Sequence, residues 1–374
     1  MNRVRACLYL SVFVIMGLSD TVIPILPVLS RGDTITQSML FSAYFAGALI
    51  MMIPLGMLSD RYGSPPFISL SIILTLISGA MLLYFDDPAL LISARFIEGC
   101  ACSAFFPAAF SMLIRFKGSK RYIGEFNFLL NSGLAIGVGT AAVLMDYYLK
   151  GGILVFCVLA LPALAMSLSL KNARDHITQV PAPDTMSQAP TQTPTAPHVE
   201  LSTVLFDPQY LQMWIVSFVL FGGTGVLVAY FPSYTDISTS LQGLALTGVY
   251  FGSMVTSLIC GRLHITEKRM IRTGITITSA GIATTVIHPI GLTIMGAGSG
   301  FALVGLVTGA ATLNQKRGMT MGAFNTYTYA GFTVMPMLAA GILGYLDYAG
   351  LFLVTGAALM TTLLFPLNAL KGRR

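Results

Sequence analysis

The residues of this chain that could do chemistry are ionisable side chains inside long apolar stretches, above all Asp20. Asp20 follows about 14 residues of the first apolar stretch, which as a helix spans roughly 21 Å and carries the carboxyl group to mid-depth. A carboxyl group removed from water favours its protonated form, so Asp20 could load and release a proton near neutral pH. The alternative is a hydrogen-bonded aspartate that packs in the seam of the first helix.

A second pair of charges, Arg95 and Glu98, lies in the fourth apolar stretch. Residues three apart share one helix face, so these side chains are expected to pair and to keep each other charged. Ionised side chains within a membrane are costly, and they mark pathways or binding partners. The pair joins Asp20 as a candidate for proton coupling, and a static ion pair that braces the helix is the alternative.

The sequence that must position these groups is that of a membrane protein. Hydrophobic residues make up 55% and charged residues 10% of the chain, and the mean hydropathy is +0.78. A soluble domain carries about 25% charged residues, and one helix needs about 20 apolar residues to cross a bilayer. The sequence predicts an all-α membrane protein with twelve transmembrane helices near residues 7–29, 38–58, 67–85, 89–114, 121–148, 151–170, 210–231, 242–262, 271–289, 291–312, 318–344 and 349–370.

The 21 Lys and Arg residues indicate the orientation of these helices. With the N-terminus in the cytoplasm, all of them except Arg31, Lys150 and the intrahelical Arg95 fall on the cytoplasmic side. Such an excess is typical of cytoplasmic loops. Both termini are therefore expected in the cytoplasm, with the chain in an inner (plasma) membrane. The net charge of +6 reflects this topology, and no nucleic-acid partner is expected.

The twelve helices divide into two sets of six around a polar segment. Residues 171–209 are rich in Pro, Thr and Gln, and such a segment buries too little apolar surface to fold alone. It is predicted to be a cytoplasmic linker between an N-terminal bundle, 1–170, and a C-terminal bundle, 210–374.

A repeat relates the two predicted bundles. Helix 11 repeats helix 5 at an offset of 198 residues, with Gly124, Phe126, Asn127 and Gly133 recurring among seven identities in 24 positions, where about two would arise by chance. Helices 2 and 8 share "AYFAG" (43–47) and "VYFGS" (249–253). The sequence predicts two pseudo-symmetric six-helix bundles.

The loop between helices 2 and 3 reads "GMLSDRYG", residues 56–63. It resembles the G-x-L-[AS]-D-R-x-G signature of the major facilitator superfamily of transporters, although Ser64 and Pro65 replace the basic pair that follows it. The resemblance implies that Asp60 faces the positive N-terminal end of helix 11 and locks the outward-open state. A loop that serves topology alone is the alternative. The candidate gating residues are Gly56, Asp60, Arg61 and Gly63.

Three further stretches resemble particular branches of this superfamily. The segment from Arg95 to Ser103 resembles a pattern common in proton-linked members. Helix 5 keeps the glycine spacing of antiporters, except that Val138 replaces a proline and alanines replace the last two glycines. The stretch 24–27, "PILP", resembles helix 1 of drug:proton antiporters. Together they imply the drug:proton antiporter branch, and generic packing of small residues is the alternative for helix 5.

Polar residues in the repeated helices are candidates for the wall of a substrate cavity. Since internal symmetry also arises from shared packing, a purely structural role stays open for them. They are Asn127, Asn131, Asn325, Tyr327 and Tyr329.

The leading hypothesis is a secondary active transporter that exports small organic molecules, amphipathic and cationic ones among them, in exchange for protons. Uptake of a small metabolite on the same fold, proton-coupled or facilitative, is the alternative. An intramembrane enzyme is disfavoured because the sequence has no H-E-x-x-H zinc motif, no nucleotide-binding P-loop and no recognisable Ser-His pair. No catalytic residue, metal site or cofactor is predicted. The expected partners are the substrate, protons and the bilayer, and the chain is expected to be a monomer.

Overall fold

The computed structural model describes residues 2–114, 116, 119–170, 205–206, 208–260, 265–313 and 317–367, and these ranges contain helices and no strand. The first helix continues through a 3-10 turn, Ile23–Ile25, into a single helical turn, Leu26–Leu29. The prediction of an all-α chain with twelve long helices is confirmed. The helices are α1 Asn2–Thr21, α2 Thr34–Tyr62, α3 Ser64–Tyr84, α4 Pro88–Ile114, α5 Ser119–Leu144, α6 Gly151–Ser169, α7 Pro208–Tyr234, α8 Thr239–Cys260, α9 Glu267–Thr285, α10 Ile290–Leu313, α11 Arg317–Ile342 and α12 Tyr348–Thr361.

The helix bounds differ from the predicted spans mainly at the two ends of the chain. α1 begins at Asn2 and its regular part ends before Pro24, because proline lacks the N–H that the helix needs. α12 ends at Thr361 and is followed by a 3-10 turn, short of Pro366. Most of the predicted linker, 171–204 and 207, lies outside the described residues.

Nine of the described helical segments are long and apolar enough to cross a membrane. α12 with its 3-10 turn is apolar but shorter than such a span. α9 and α11 fall below the hydropathy of a free-standing span, since α9 begins with charged residues and α11 carries many Thr, Tyr and Gly residues. These two helices are therefore stable in a bilayer chiefly through their packing on neighbours.

Each set of six helices packs in the same pattern. In the first half, α1 packs on α5 and α6, α4 packs on α2 and α3, and α3 packs on α6. In the second half, α7 packs on α11 and α12, α10 packs on α8 and α9, and α9 packs on α12. The two halves are thus pseudo-symmetric six-helix bundles, as predicted.

Glycines at the closest helix crossings show which residues of the two halves correspond. A Cβ atom at Gly133 of α5 would overlap the carbonyl oxygen of Phe13 in α1. A Cβ atom at Gly331 of α11 would overlap the carbonyl oxygen of Phe218 in α7. α11 therefore follows α5 at the predicted offset of 198 residues, while α7 follows α1 at an offset of 205.

The same contacts correct the predicted match between α2 and α8. A Cβ atom at Gly47 would overlap the carbonyl oxygen of Phe96, and one at Gly252 would overlap that of Thr293. Gly252 therefore corresponds to Gly47, at an offset of 205 residues. The shared Tyr-Phe pair in "AYFAG" and "VYFGS" suggested 206, which is wrong by one residue because the backbone contact, and not the shared letters, sets the register.

The two halves meet along two seams, α2 against α11 and α5 against α8. Gln37 of α2 donates from Nε2 to the Ala229 carbonyl oxygen (2.7 Å) and accepts from Ser233 Oγ (3.0 Å), both on α7. Thr247 of α8 donates to the Ala135 carbonyl oxygen of α5 (3.2 Å). These hydrogen bonds between the halves lie in the part of the bundle remote from the termini. We call this part the closed end, because the halves are joined there.

A buried lysine ties the loops of the first half together at the closed end. Lys150 Nζ donates to Asp86 Oδ1 (2.7 Å) and to the carbonyl oxygens of Leu83 (3.3 Å) and Phe85 (2.8 Å). These carbonyls belong to the last turn of α3, which a cation stabilises. The hydrogen bond from Lys150 holds the pKa of the exposed Asp86 carboxyl below its usual range.

Candidate functional site

The three predicted ionisable residues come together inside the first half. Asp20 stands on the last turn of α1, and Arg95 and Glu98 project from the first half of α4. Their side chains are 8%, 3% and 0% exposed. Two acids and one base in a buried cluster leave an excess of one negative charge when all three are ionised.

Arg95 is held from three helices. Its Nη1 atom lies 2.6 Å from Glu98 Oε2 and 3.0 Å from the Ser19 carbonyl oxygen, and its Nε atom lies 3.2 Å from the Leu40 carbonyl oxygen. The guanidinium group also stands over the Tyr44 ring, 4.9 Å from its centroid. Such a fully engaged guanidinium has little freedom to leave Glu98, so Arg95 and Glu98 form a fixed pair.

Asp20 lacks the direct charge partner that Glu98 has in Arg95, although Glu98 Oε1 is likewise buried without a hydrogen-bond partner among the described residues. Its Oδ1 atom accepts from Ser19 Oγ (3.3 Å), and its buried Oδ2 atom has no hydrogen-bond partner among the described residues. The Tyr250 hydroxyl group of α8, in the other half, is a neighbour of this carboxyl group. Its position does not give a well-formed hydrogen bond to Oδ2. α8 also packs on the 3-10 turn that follows α1. The excess negative charge thus rests on Asp20, at the boundary between the halves.

The positions of the second half that correspond to this cluster, all of them described, carry no charged residue. Close contacts of Gly99 with Tyr44 and of Gly296 with Val249 show that α10 follows α4 at an offset of 197 residues. Together with the offset of 205 between α1 and α7, this pairing matches Asp20, Arg95 and Glu98 with other residues. Their equivalents are Gly225, Leu292 and Met295, of which the last two are fully buried. One half therefore builds this fold without the charges that the other half keeps.

An aromatic layer crosses the boundary between the halves. Phe45 of α2 stacks on Phe332 of α11, with ring centroids 4.4 Å apart, and its ring lies 6.2 Å from Tyr329. Phe221 of α7 lies 5.8 Å from Phe332. The predicted cavity residue Tyr329 is therefore part of the central layer.

The other predicted cavity residues differ in exposure and contacts. Tyr327 stacks on Trp214 and donates to the Leu205 carbonyl oxygen (3.1 Å), so its hydroxyl binds the segment that precedes α7. Asn131 Nδ2 donates to the Asn127 carbonyl oxygen (2.9 Å), and the Asn127 side chain is exposed. Asn325 is half-buried.

The predicted gating stretch forms the last turns of α2 and its end. Asp60 and Arg61 are exposed, and the Arg61 guanidinium stands over the Tyr62 ring. Gly63 ends the helix with φ of +88°, a conformation that favours glycine. Gly56 packs near Pro107 of α4. The first residues of α11, which the family signature names as the partner, directly follow the undescribed 314–316.

Sequence reasoning missed three residues that join the halves, namely Gln37, Phe45 and Tyr250. Phe45 and Tyr250 occupy equivalent positions of α2 and α8, and both lie in the repeated "AYFAG" and "VYFGS" segments. The repeated segments were therefore the sequence signal that could have identified Phe45 and Tyr250. Gln37 lies in the first turn of α2, close to the loop between α1 and α2. No sequence pattern identifies its partners on α7.

The fold and the cluster define a multi-pass membrane protein of two repeated bundles, with a buried polar cluster in the first bundle that reaches the boundary at Asp20. A family model described as the Major Facilitator Superfamily matches residues 8–239 and 213–373, so the chain belongs to the Major Facilitator Superfamily, a family of membrane transporters.

Solved structures of transporters share this fold. The nucleoside transporter NupG has a TM-score of 0.74 and 12% identity, with 99% of each chain covered. A bacterial homologue of the human lysosomal transporter Spinster, in an inward-facing and occupied conformation, has a TM-score of 0.70 and 15% identity, with 98% of this chain and 95% of that chain covered. At such identities the likeness concerns the fold alone. No curated protein matches the chain in sequence.

Proposed function

We propose that this chain is a secondary active transporter that exports a small organic molecule in exchange for protons, with Asp20 as the proton site. The observation that supports it most is a buried cluster in which the Asp20 carboxyl group has no direct charge partner, at positions whose described equivalents in the second repeat are uncharged. Since the second half forms the same fold without this carboxyl group, we assign Asp20 a role in transport and not in folding.

The arrangement supports coupling between a proton and the relative position of the halves. An isolated buried carboxylate is costly, so a proton on Asp20 stabilises any state in which the group is shielded from water. Tyr250 approaches Asp20 from the other half, so the contact changes when the halves move. A proton that binds one state more tightly shifts the population toward that state. The pair of Arg95 and Glu98 positions the neighbouring backbone carbonyls around this switch.

The closed end supports an assignment of the state. With both termini in the cytoplasm, as the basic residues favour, the closed end faces outward and the structure is an inward-facing state. We place the chain as a monomer in the inner membrane, with a linker that covers 171–209 between bundles 1–170 and 210–374. We also propose that transport runs outward and that the chain belongs to the drug:proton antiporter branch.

The proposal is tested in inverted membrane vesicles with an imposed pH gradient. The wild-type chain should move a cationic fluorescent dye against its gradient, and dye addition should release protons in the opposite direction. Asp20→Asn should lower the pH-driven rate at least tenfold and keep downhill exchange of the dye. The matched control is Asp236→Asn, an exposed carboxylate in the loop between α7 and α8, which should behave as wild type.

Two results would count against the proposal. Dye-induced proton movement that persists in Asp20→Asn removes Asp20 from the coupling step. Movement of substrate and proton in the same direction favours the uptake symporter, and transport that ignores the pH gradient favours facilitative uptake.

A further inference from the structure

A pocket of about 470 Å³ lies between helices of the two halves, with the partly exposed Met39 and Met337 in its wall, and Asp20 is not among its lining residues. α2 and α4 of the first half form most of it, and α11 of the second half closes one side. Its walls include Met39, Ala43, Ala46, Ser93, Thr333 and Met337. The pocket therefore bridges the seam between α2 and α11, which is one of the two contacts that hold the closed end together.

The walls are mainly hydrocarbon and carry no charge. Of the three hydroxyl groups in the wall, Ser93 Oγ donates to the Ala89 carbonyl oxygen (2.8 Å) and Thr333 Oγ1 donates to the Tyr329 carbonyl oxygen (2.7 Å). The third, the buried Ser42 Oγ, has no hydrogen-bond partner among the described residues. Met39 and Met337 are 38% and 44% exposed at the rim. The volume is within the range of about 300–1,000 Å³ that is typical of small-molecule sites. A flexible apolar molecule fits such walls.

The position of the pocket along the membrane normal determines which molecules can enter it. Ala43 stands nine residues after the start of α2, roughly 14 Å along the helix from the closed end. A bilayer has a hydrocarbon core about 30 Å thick, so the pocket faces the acyl chains of the leaflet at the closed end. Acyl chains are the apolar molecules that surround this part of the chain.

We propose that this pocket binds one acyl chain of a membrane lipid, and that the bound chain stabilises the closed end. The reason is that Thr333 and Met337 belong to the second half while the rest of the wall belongs to the first. Opening of the closed end separates α11 from α2 and removes one wall. A ligand that contacts both halves only in the closed arrangement shifts the population toward it. This inference does not depend on proton coupling at Asp20.

The binding step is tested by photolabelling the full chain in detergent with a phosphatidylcholine that carries a diazirine in one acyl chain. Labelling of peptides from the pocket should saturate as the lipid is titrated and should fall at least fivefold in Ala43→Trp, which fills the pocket. Ile50→Trp is the matched control, because Ile50 is 56% exposed on the same face of α2 two turns away. Ser93→Trp with the control Leu90→Trp repeats the comparison on α4, should Ala43→Trp not fold.

The effect on conformation is measured between spin labels at Ile35 and Tyr345, exposed positions at the closed end of the two halves. Added phosphatidylcholine should increase the short-distance population in the wild-type chain and in Ile50→Trp, and Ala43→Trp should no longer respond. Labelling that rises in proportion to lipid without saturation, or that is equal in Ala43→Trp and Ile50→Trp, overturns the site. Saturable labelling without a change in the distance overturns the conformational role. Failure of the Asp20 experiment leaves both results unaffected.

Discussion

Asp20 and Glu98 are both buried acids, yet their surroundings differ in kind. Glu98 has a charge partner 2.6 Å away, whereas Asp20 has a neighbouring serine and a tyrosine from the other half. Neutralising a group with a tight charge partner leaves that partner unpaired, which is costly. Neutralising Asp20 removes an uncompensated charge. Of the two acids, Asp20 is the one that can change its protonation state without breaking a buried ion pair.

Tyr250→Phe tests whether the two halves communicate through Asp20. The substitution removes one hydroxyl group and keeps the ring, so we expect a stability change of about 1 kcal/mol or less. On the proposed mechanism, pH-driven efflux should fall several-fold while downhill exchange continues. The control is Tyr234→Phe, which removes a hydroxyl that donates to the Val286 carbonyl oxygen within the second half. Equal effects of the two variants on coupling would assign Tyr250 to packing alone.

Gln37→Leu tests the closed end at the scale of one side chain. Leucine keeps the approximate volume but leaves the Ala229 carbonyl and the Ser233 hydroxyl without their partner. Unsatisfied buried groups cost about 1–3 kcal/mol each, and 1.4 kcal/mol is a tenfold change in an equilibrium constant. The ratio of closed to open molecules should therefore fall about tenfold or more, measured by spin-label distances across the closed end.

Gln242→Leu is the matched control for Gln37→Leu. The Gln242 amide donates to the carbonyl oxygens of Thr235 and Ile237, all within the second half. This variant should lower thermal stability without a shift in the closed population. A comparable shift in both variants would mean that Gln37 contributes only to general stability.

At the scale of helices, the sequence determines the elements more firmly than their contacts. Apolar length predicted the twelve helices because each span must satisfy its backbone hydrogen bonds internally. The register between α2 and α8 was predicted wrongly by one residue, because the contacts of Gly47 and Gly252 are made with other helices. The cluster of Asp20, Arg95 and Glu98 was predictable because charges are rare in apolar spans. Tyr250 is one of 15 tyrosines, and only its position opposite Asp20 singles it out.

The repeated glycine contacts give a prediction about helix packing. Gly133→Ala should force α5 away from the Phe13 carbonyl of α1, and Gly331→Ala should force α11 away from the Phe218 carbonyl of α7. Overpacking of this kind costs typically about 1–3 kcal/mol. Both variants should therefore lower the melting temperature by similar amounts. Thermal unfolding in detergent, followed by loss of monodisperse protein, measures this.

Gly341→Ala provides the comparison, because a Cβ atom at this position of α11 would meet nothing within 4 Å. Alanine is favoured over glycine in a helix interior by about 1 kcal/mol or less. Its melting temperature should equal or exceed that of the wild type. A large loss in Gly133→Ala with none in Gly331→Ala would show that the repeated contact does not stabilise the two halves equally.

At the scale of the whole molecule, α2 links the two ends of the transporter. Gln37 stands in its first turn and Asp60 near its last, 23 residues apart or roughly 34 Å along a helix. Gln37 joins the halves at the closed end. Asp60 is exposed and makes no hydrogen bond or ion pair with another described residue. A contact of Asp60 with the N-terminus of α11 would belong to the opposite state, in which the other end is closed.

Opposite shifts are therefore expected from the two ends of α2. Asp60→Asn should weaken a charge–helix contact by about 0.3–1 kcal/mol in the state that is not seen here, and so raise the population of the state that is. Gln37→Leu should act in the other direction. Because the two sites lie far apart and share no partner, their effects should add, and the double variant should lie between the single ones. Spin-label distances at the closed end, recorded for all four proteins, measure the populations. If Asp60→Asn moved the population in the same direction as Gln37→Leu, the gating role of the loop would be excluded, while the role of Gln37 at the closed end would stand.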